Sequence, residues 1–123
     1  MPDILIRRTL GALETALPFG EGERNWRFRR CPYPRGLYTI LLKCTGAAGG
    51  QQHSVLIGTT EVVQRSDTSA GATDGVMPTP SGTNDAPAHQ FIAEAGDEIV
   101  LELRELGNVA TTDVMIWANV EPA

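Results

Sequence analysis

From residue 25 onward, apolar and polar side chains alternate in short runs broken by glycine or proline about every ten residues. This pattern limits the fold more than any other feature, because successive side chains of a strand point to opposite faces. Residues 112–120 set Val114, Ile116, Ala118 and Val120 against Met115, Trp117 and Asn119. Residues 98–106 direct Ile99, Leu101 and Leu103 one way and Val100, Glu102 and Arg104 the other. Residues 37–44 are apolar on both faces, as expected of a central strand covered twice. Residues 53–57 and 61–65 flank Gly58-Thr59-Thr60 and read as a hairpin. Residues 89–94 form another run, and Gly96-Asp97 turns the chain into residues 98–106. In residues 25–30, Trp26, Phe28 and Arg30 share one face of an expected strand and Asn25, Arg27 and Arg29 the other, with Pro32 and Pro34 closing it at a corner. Seven or eight such strands predict an all-β, antiparallel β-sandwich or barrel. A sandwich is expected, with Ile40, Leu42, Ile99, Leu101, Leu103, Val114, Ile116 and Val120 in its core.

The chain has 123 residues, enough for one domain. The expected division is an extended N-terminal arm at residues 1–24 and the sandwich at 25–123. Ile4, Leu5, Ile6 and Leu10 could extend, residues 10–17 could make one or two helical turns, and Pro18 with Gly20-Glu21-Gly22 stops either. No apolar run approaches the ~18 residues of a membrane span. The N-terminal charges follow a very short apolar run, the wrong order for a secretory signal. The expectation is therefore a protein made in the cytoplasm that stays there or leaves by lysis or assembly. Cys31 and Cys44 make no disulfide framework or zinc motif; Cys44 reads as a buried free thiol, with a bridge between the two left open.

Charge is unevenly divided. Residues 1–43 carry eight basic against four acidic side chains, while residues 44–123 carry two against eleven. Either the halves neutralise each other within one fold, or the basic part faces something acidic. The second reading makes Arg7, Arg8, Arg24, Trp26, Arg27, Arg29 and Arg30 the candidate partner-binding residues. Arginine interleaved with aromatics also suits single-stranded nucleic acid. An acidic protein repels phosphate at long range, however, so a protein partner is favoured.

Catalytic and metal chemistries fare poorly. His53, His89, Cys44 and Met115 are the residue types of a blue-copper site, but no His follows position 89 to join a late ligand loop. Ser54 beside His53 points to the opposite face, and there is no nucleophile elbow. Asp97 and Glu98 straddle a turn rather than converge, and residues 46–50 lack the Lys-Ser/Thr ending of a phosphate loop. The long irregular stretch at 66–88 holds Asp67, Asp74, Asn84 and Asp85, without the spacing of an EF-hand. The expectation is no enzyme, no cofactor and no metal.

The arm, the basic 25–30 segment and Phe91-Ile-Ala-Glu-Ala-Gly-Asp-Glu-Ile-Val100 together resemble, in layout, the small jelly-roll decoration (cement) proteins of tailed-phage heads. That resemblance implies a jelly-roll-like sandwich on the virion's capsid surface, bound to the major capsid protein or another shell protein, often as a homo-oligomeric dimer or trimer. It assigns no individual residue. The competing expectation is a carbohydrate-binding or host-attachment module presenting Trp117 and Tyr38 to sugars.

Overall fold

The computed structural model describes residues 4–21, 26–45, 50–68, 89–107 and 112–123. The described residues form eight strands: β1 (Ile4–Leu10), β2 (Thr15–Ala16), β3 (Arg35–Cys44), β4 (Gln51–Ile57), β5 (Thr60–Asp67), β6 (His89–Glu94), β7 (Ile99–Glu105) and β8 (Thr112–Pro122). A 3-10 turn at Pro18–Gly20 and one turn of helix, α1 (Trp26–Arg29), lie between β2 and β3.

The strands form two antiparallel four-stranded sheets, ordered β1-β8-β3-β6 and β2-β7-β4-β5. Strand one pairs with eight, two with seven, three with six and four with five. The chain is thus one long hairpin rolled over on itself, with β3–β8 and β4–β7 contacts closing each sheet. This is the jelly-roll arrangement. The hairpin tip is Gly58-Thr59, and Gly58 has φ of 62°, a left-handed conformation that glycine adopts without a Cβ clash.

Alternation translates directly into packing. Along β7 the side chains of Ile99, Leu101, Leu103 and Glu105 are buried and the intervening ones half-exposed. Each of the eight expected core residues belongs to the hydrophobic core, joined by Ile6, Leu10, Phe19, Phe28, Tyr38 and Phe91. Tyr38 stacks on Phe91 with ring centroids 5.1 Å apart, and its hydroxyl donates to the Phe28 carbonyl at 3.3 Å. Strand β8 is covered on both faces. In register, its Trp117 lies between Leu5 and Leu41, and its Met115 between Arg7 and Lys43, whose aliphatic stems suit an apolar neighbour.

Two expectations require correction. Residues 4–21 are not an arm. β1 is hydrogen-bonded to β8 over seven residue pairs, β2 joins β7, and Ile6, Leu10, Ala16 and Phe19 are buried in the common core. Ile6 and Leu10, which lacked an evident partner in sequence, find one in this burial, whereas Leu5 stays exposed. The expected 25–30 strand is likewise corrected among the described residues: Trp26–Arg29 is a helical turn, with Phe28 turned inward to pack on Phe19 at 6.0 Å. A Cys31–Cys44 bridge is ruled out. Neither sulfur is in a disulfide, both are buried, and Cys31 Sγ lies where a Gly36 Cβ would come within 2.8 Å. Cys44 is eight strand residues further along β3, about 26 Å at ~3.3 Å per residue, far beyond disulfide reach.

Leu101→Ala is expected to lower unfolding free energy by about 2–5 kcal/mol through lost transfer energy and a cavity, as read by urea denaturation. Deleting residues 1–20 removes an edge strand from each sheet, with their core side chains. The truncated chain should therefore lose its cooperative unfolding transition, and a sharp, native-like transition would contradict this packing.

Candidate functional site

The two ends of the sandwich differ in chemistry. At one end the chain after α1 is stapled to the β6–β7 turn. Cys31 N donates to the Asp97 carbonyl at 3.1 Å, Gly96 N to the Cys31 carbonyl at 3.2 Å, and Ala95 N to the Pro34 carbonyl at 3.3 Å. Asp97 Oδ2 accepts from Glu94 N at 2.8 Å, so this carboxylate shapes the turn. The stapling presents Arg29 and Arg30 to a single carboxylate, Glu98, at 3.8 and 3.3 Å, and Arg30 also donates to the Gly96 carbonyl. Both guanidinium side chains remain about half exposed, at 48% and 55%. Each guanidinium has five donors, so several face solvent, while Glu94, Asp97 and Glu98 place three carboxylates at the same end. Arg35, also exposed, begins β3 opposite Glu94 at the same end.

The remaining candidates are distributed differently. Arg8 and Arg29 line one cleft of about 470 Å³ beside β7, together with Glu14, Leu17, Glu21 and Glu98. Arg8 is held there by Glu21 at 3.0 Å and Glu14 at 2.7 Å, and these bonds raise its already high pKa. Arg7 is on the outer face of the first sheet, paired with Asp113, whose carboxyl is kept below its ordinary range by Thr9 first and Arg7 second. The Arg7–Asp113 and Arg29/Arg30–Glu98 pairs each join the basic first third to the acidic remainder. Part of the charge asymmetry is therefore consumed inside the fold. Arg24 and the side chains of Trp26 and Arg27 lie outside the described residues.

The opposite end holds a buried polar cluster. Gln51 Nε2 donates to both oxygens of Glu105, at 3.1 and 2.9 Å, and Gly107 N donates to Glu105 Oε1 at 3.0 Å. Burial pushes the Glu105 carboxyl up, but these bonds and those from Thr112 and Leu106 outweigh it and hold the group below its usual range. Cys44 Sγ meets Gln51 Oε1 at 3.2 Å. Thr68 N donates to the Gln51 carbonyl at 2.9 Å, and Thr68 Oγ1 lies 2.9 Å from His53 Nδ1. His53 Nε2 is 2.9 Å from His89 Nε2. Burial first, and His89 second, lower the His53 pKa to about 4 against an opposing effect of Asp67; burial also lowers that of His89. No buried side-chain polar atom lacks a partner among the described residues.

This geometry sorts the residues singled out for chemistry. His53 and His89 meet, and Cys44 is joined to them through Thr68, whose carbonyl is 3.7 Å from its sulfur. Met115 is on the other side of the first sheet, so the four copper-type residues do not converge. Among the described residues no group of three or more His, Cys, Asp or Glu side chains is placed to hold a metal ion. Ser54 is buried on the face of β4 opposite His53. Asp67 accepts from Gln52 at 3.2 Å, whereas Asp74, Asn84 and Asp85 lie outside the described residues. Tyr38 is fully buried and Trp117 only 8% exposed, so neither offers a face to a sugar. No described helix is long and apolar enough to cross a membrane. The meeting of His53 with His89 was not legible in sequence, because the two belong to different sheets.

Comparison with known proteins adds nothing to this geometry: no family model, curated protein or solved structure matches the chain.

Glu105→Gln should cost about 1–3 kcal/mol at neutral pH, because it sets an amide donor against the Gln51 amide and the Gly107 N–H. A depressed carboxyl pKa stabilises the fold above the ordinary carboxylate range and loses that contribution as pH falls through the native value. The deficit of the variant, measured by urea denaturation, should therefore shrink on acidification.

Proposed function

We propose that this jelly-roll domain is a non-enzymatic structural protein that binds and stabilises the outer surface of a tailed-phage capsid. The observation that carries the reading is the arginine end, where Arg29 and Arg30 share Glu98 on a backbone stapled to the β6–β7 turn. Such an end offers fixed, half-exposed guanidinium donors to carboxylates on a flat protein surface. The fold suits the task, since jelly rolls serve as shell and lectin domains alike. The lectin-like reading loses support because Tyr38 and Trp117 are buried. The partner is an acidic face of the major capsid protein or another shell protein, engaged by copies that act as dimers or trimers at the virion surface.

The attachment surface comprises Arg29 and Arg30, with Arg35 beside them. Arg7 and Arg8 contribute to folding through their internal ion pairs. Exposed ion pairs are individually worth only ~0–1 kcal/mol, so attachment also requires the apolar surface next to the arginines. Leu17, exposed in the adjoining cleft, supplies some of it.

The test is co-sedimentation with purified shells. Arg29→Glu with Arg30→Glu should weaken binding at least about tenfold, equivalent to ~1.4 kcal/mol. Arg65 and Arg104 provide a matched control, because they too share one carboxylate, Glu102, but on the outer face of the second sheet. Their double replacement should leave binding nearly unchanged, and raised salt should slow association of the native protein. Equal losses from both pairs, or no co-sedimentation at all, would remove the basis for this function.

A further inference from the structure

The end of the sandwich away from the arginines carries a device that attachment does not use. We propose that His53 and His89 form an acid-released latch between the two sheets.

His53 projects from β4 in the second sheet and His89 from β6 in the first, and their Nε2 atoms stand 2.9 Å apart with ring centroids at 4.8 Å. That distance is a hydrogen bond only if one nitrogen donates and the other accepts. His53 is 3% exposed and its Nδ1 is engaged by Thr68 Oγ1, so the ring is fixed in orientation and cannot turn to water. A first extra proton creates an imidazolium inside the sandwich. A second puts N–H groups on both facing nitrogens, which abolishes the bond and sets two cations against each other.

The surrounding titratable groups do little to offset this. Asp67, at the end of β5, favours the charged form of His53 but is outweighed by burial. Cys44 of β3 is turned to Gln51 and the Thr68 carbonyl, and Glu105 of β7 is engaged by Gln51 and Gly107. Asp113 of β8 serves Thr9 and Arg7, and Glu94 of β6 is at the arginine end. Among the described residues, no carboxylate is hydrogen-bonded to the facing nitrogens or to His53 Nδ1.

An unfolded chain protonates both histidines near their ordinary pKa of about 6.5, while the folded pair resists. Below that pH the unfolded state binds more protons than the native state, so the native state loses stability as pH falls. The latch is closed at neutral pH and released under acid, and it acts where β4 of one sheet is tied to β6 of the other.

The experiment uses the full chain. The imidazole protons of both histidines are followed by NMR from pH 7.5 to 4.5, and unfolding equilibria of the native protein and His89→Gln are compared over the same range. The expected result is that His53 shows no protonation near pH 6.5 while folded. The unfolding constant of the native protein should rise by up to about tenfold per pH unit for each proton withheld, and His89→Gln should remove roughly half of that slope. Amides of β4 and β6 should exchange faster on acidification before those of β8. Ordinary titration of both rings near pH 6.5 with the sheets still in contact, or identical pH slopes for the two proteins, would overturn the proposal. If His89→Gln does not fold, the NMR titration and the exchange order in the native protein decide alone.

Discussion

Strand β8 is the element on which the rest of this structure depends. It is hydrogen-bonded along both edges, to β1 over seven residue pairs and to β3 over nine. Val114, Ile116, Ala118 and Val120 enter the core from one face, while Met115 and Trp117 are buried on the other. A strand without a free edge or a wet face needs partners distant in sequence. Here it recruits the N-terminus and the middle of the chain at once. The jelly roll then follows from continuing the same nesting inward, through β2–β7 and β3–β6 to the hairpin tip at Gly58.

Closing both sheets in this way places unlike chemistry at the two ends. β3 runs from exposed Arg35 to buried Cys44, and so from the arginine end to the polar cluster. At the first, Arg29 and Arg30 outnumber their carboxylate and face outward; at the second, Gln51, Thr68 and Glu105 satisfy one another under the surface. Buried polar groups are tolerated only when bonded, and the cluster meets that condition. The first end therefore keeps guanidinium donors facing solvent, whereas the second holds the histidine pair proposed to respond to proton activity.

The net charge imbalance between the first third of the chain and the remainder has a double meaning in this fold. Arg7 with Asp113, and Arg29 and Arg30 with Glu98, span the boundary and reduce the imbalance. Arg8 is neutralised locally by Glu14 and Glu21. What survives is a small set of exposed guanidiniums, Arg29, Arg30 and Arg35, interspersed with Glu94, Asp97 and Glu98.

Period-two alternation alone determined the strands from β3 to β8, most of their inward faces and the sandwich, because side-chain parity is a local property of an extended backbone. Thus Ile99, Leu101 and Leu103, and Val114, Ile116 and Val120, were legible as core before any pairing was known. Tertiary structure decided the rest. Ile6, Leu10 and Phe19 looked like an arm because their partners, β8 and β7, lie about a hundred residues away, and no local pattern encodes a pairing at that distance. Trp26–Arg29 alternates like a strand yet forms a helical turn, since Phe28 must pack on Phe19 and propensity yields to burial. His53 and His89 lie on strands of different sheets, and only the packing of one sheet on the other brings their nitrogens to 2.9 Å. Contacts within a strand belong to the sequence, and contacts between sheets belong to the fold.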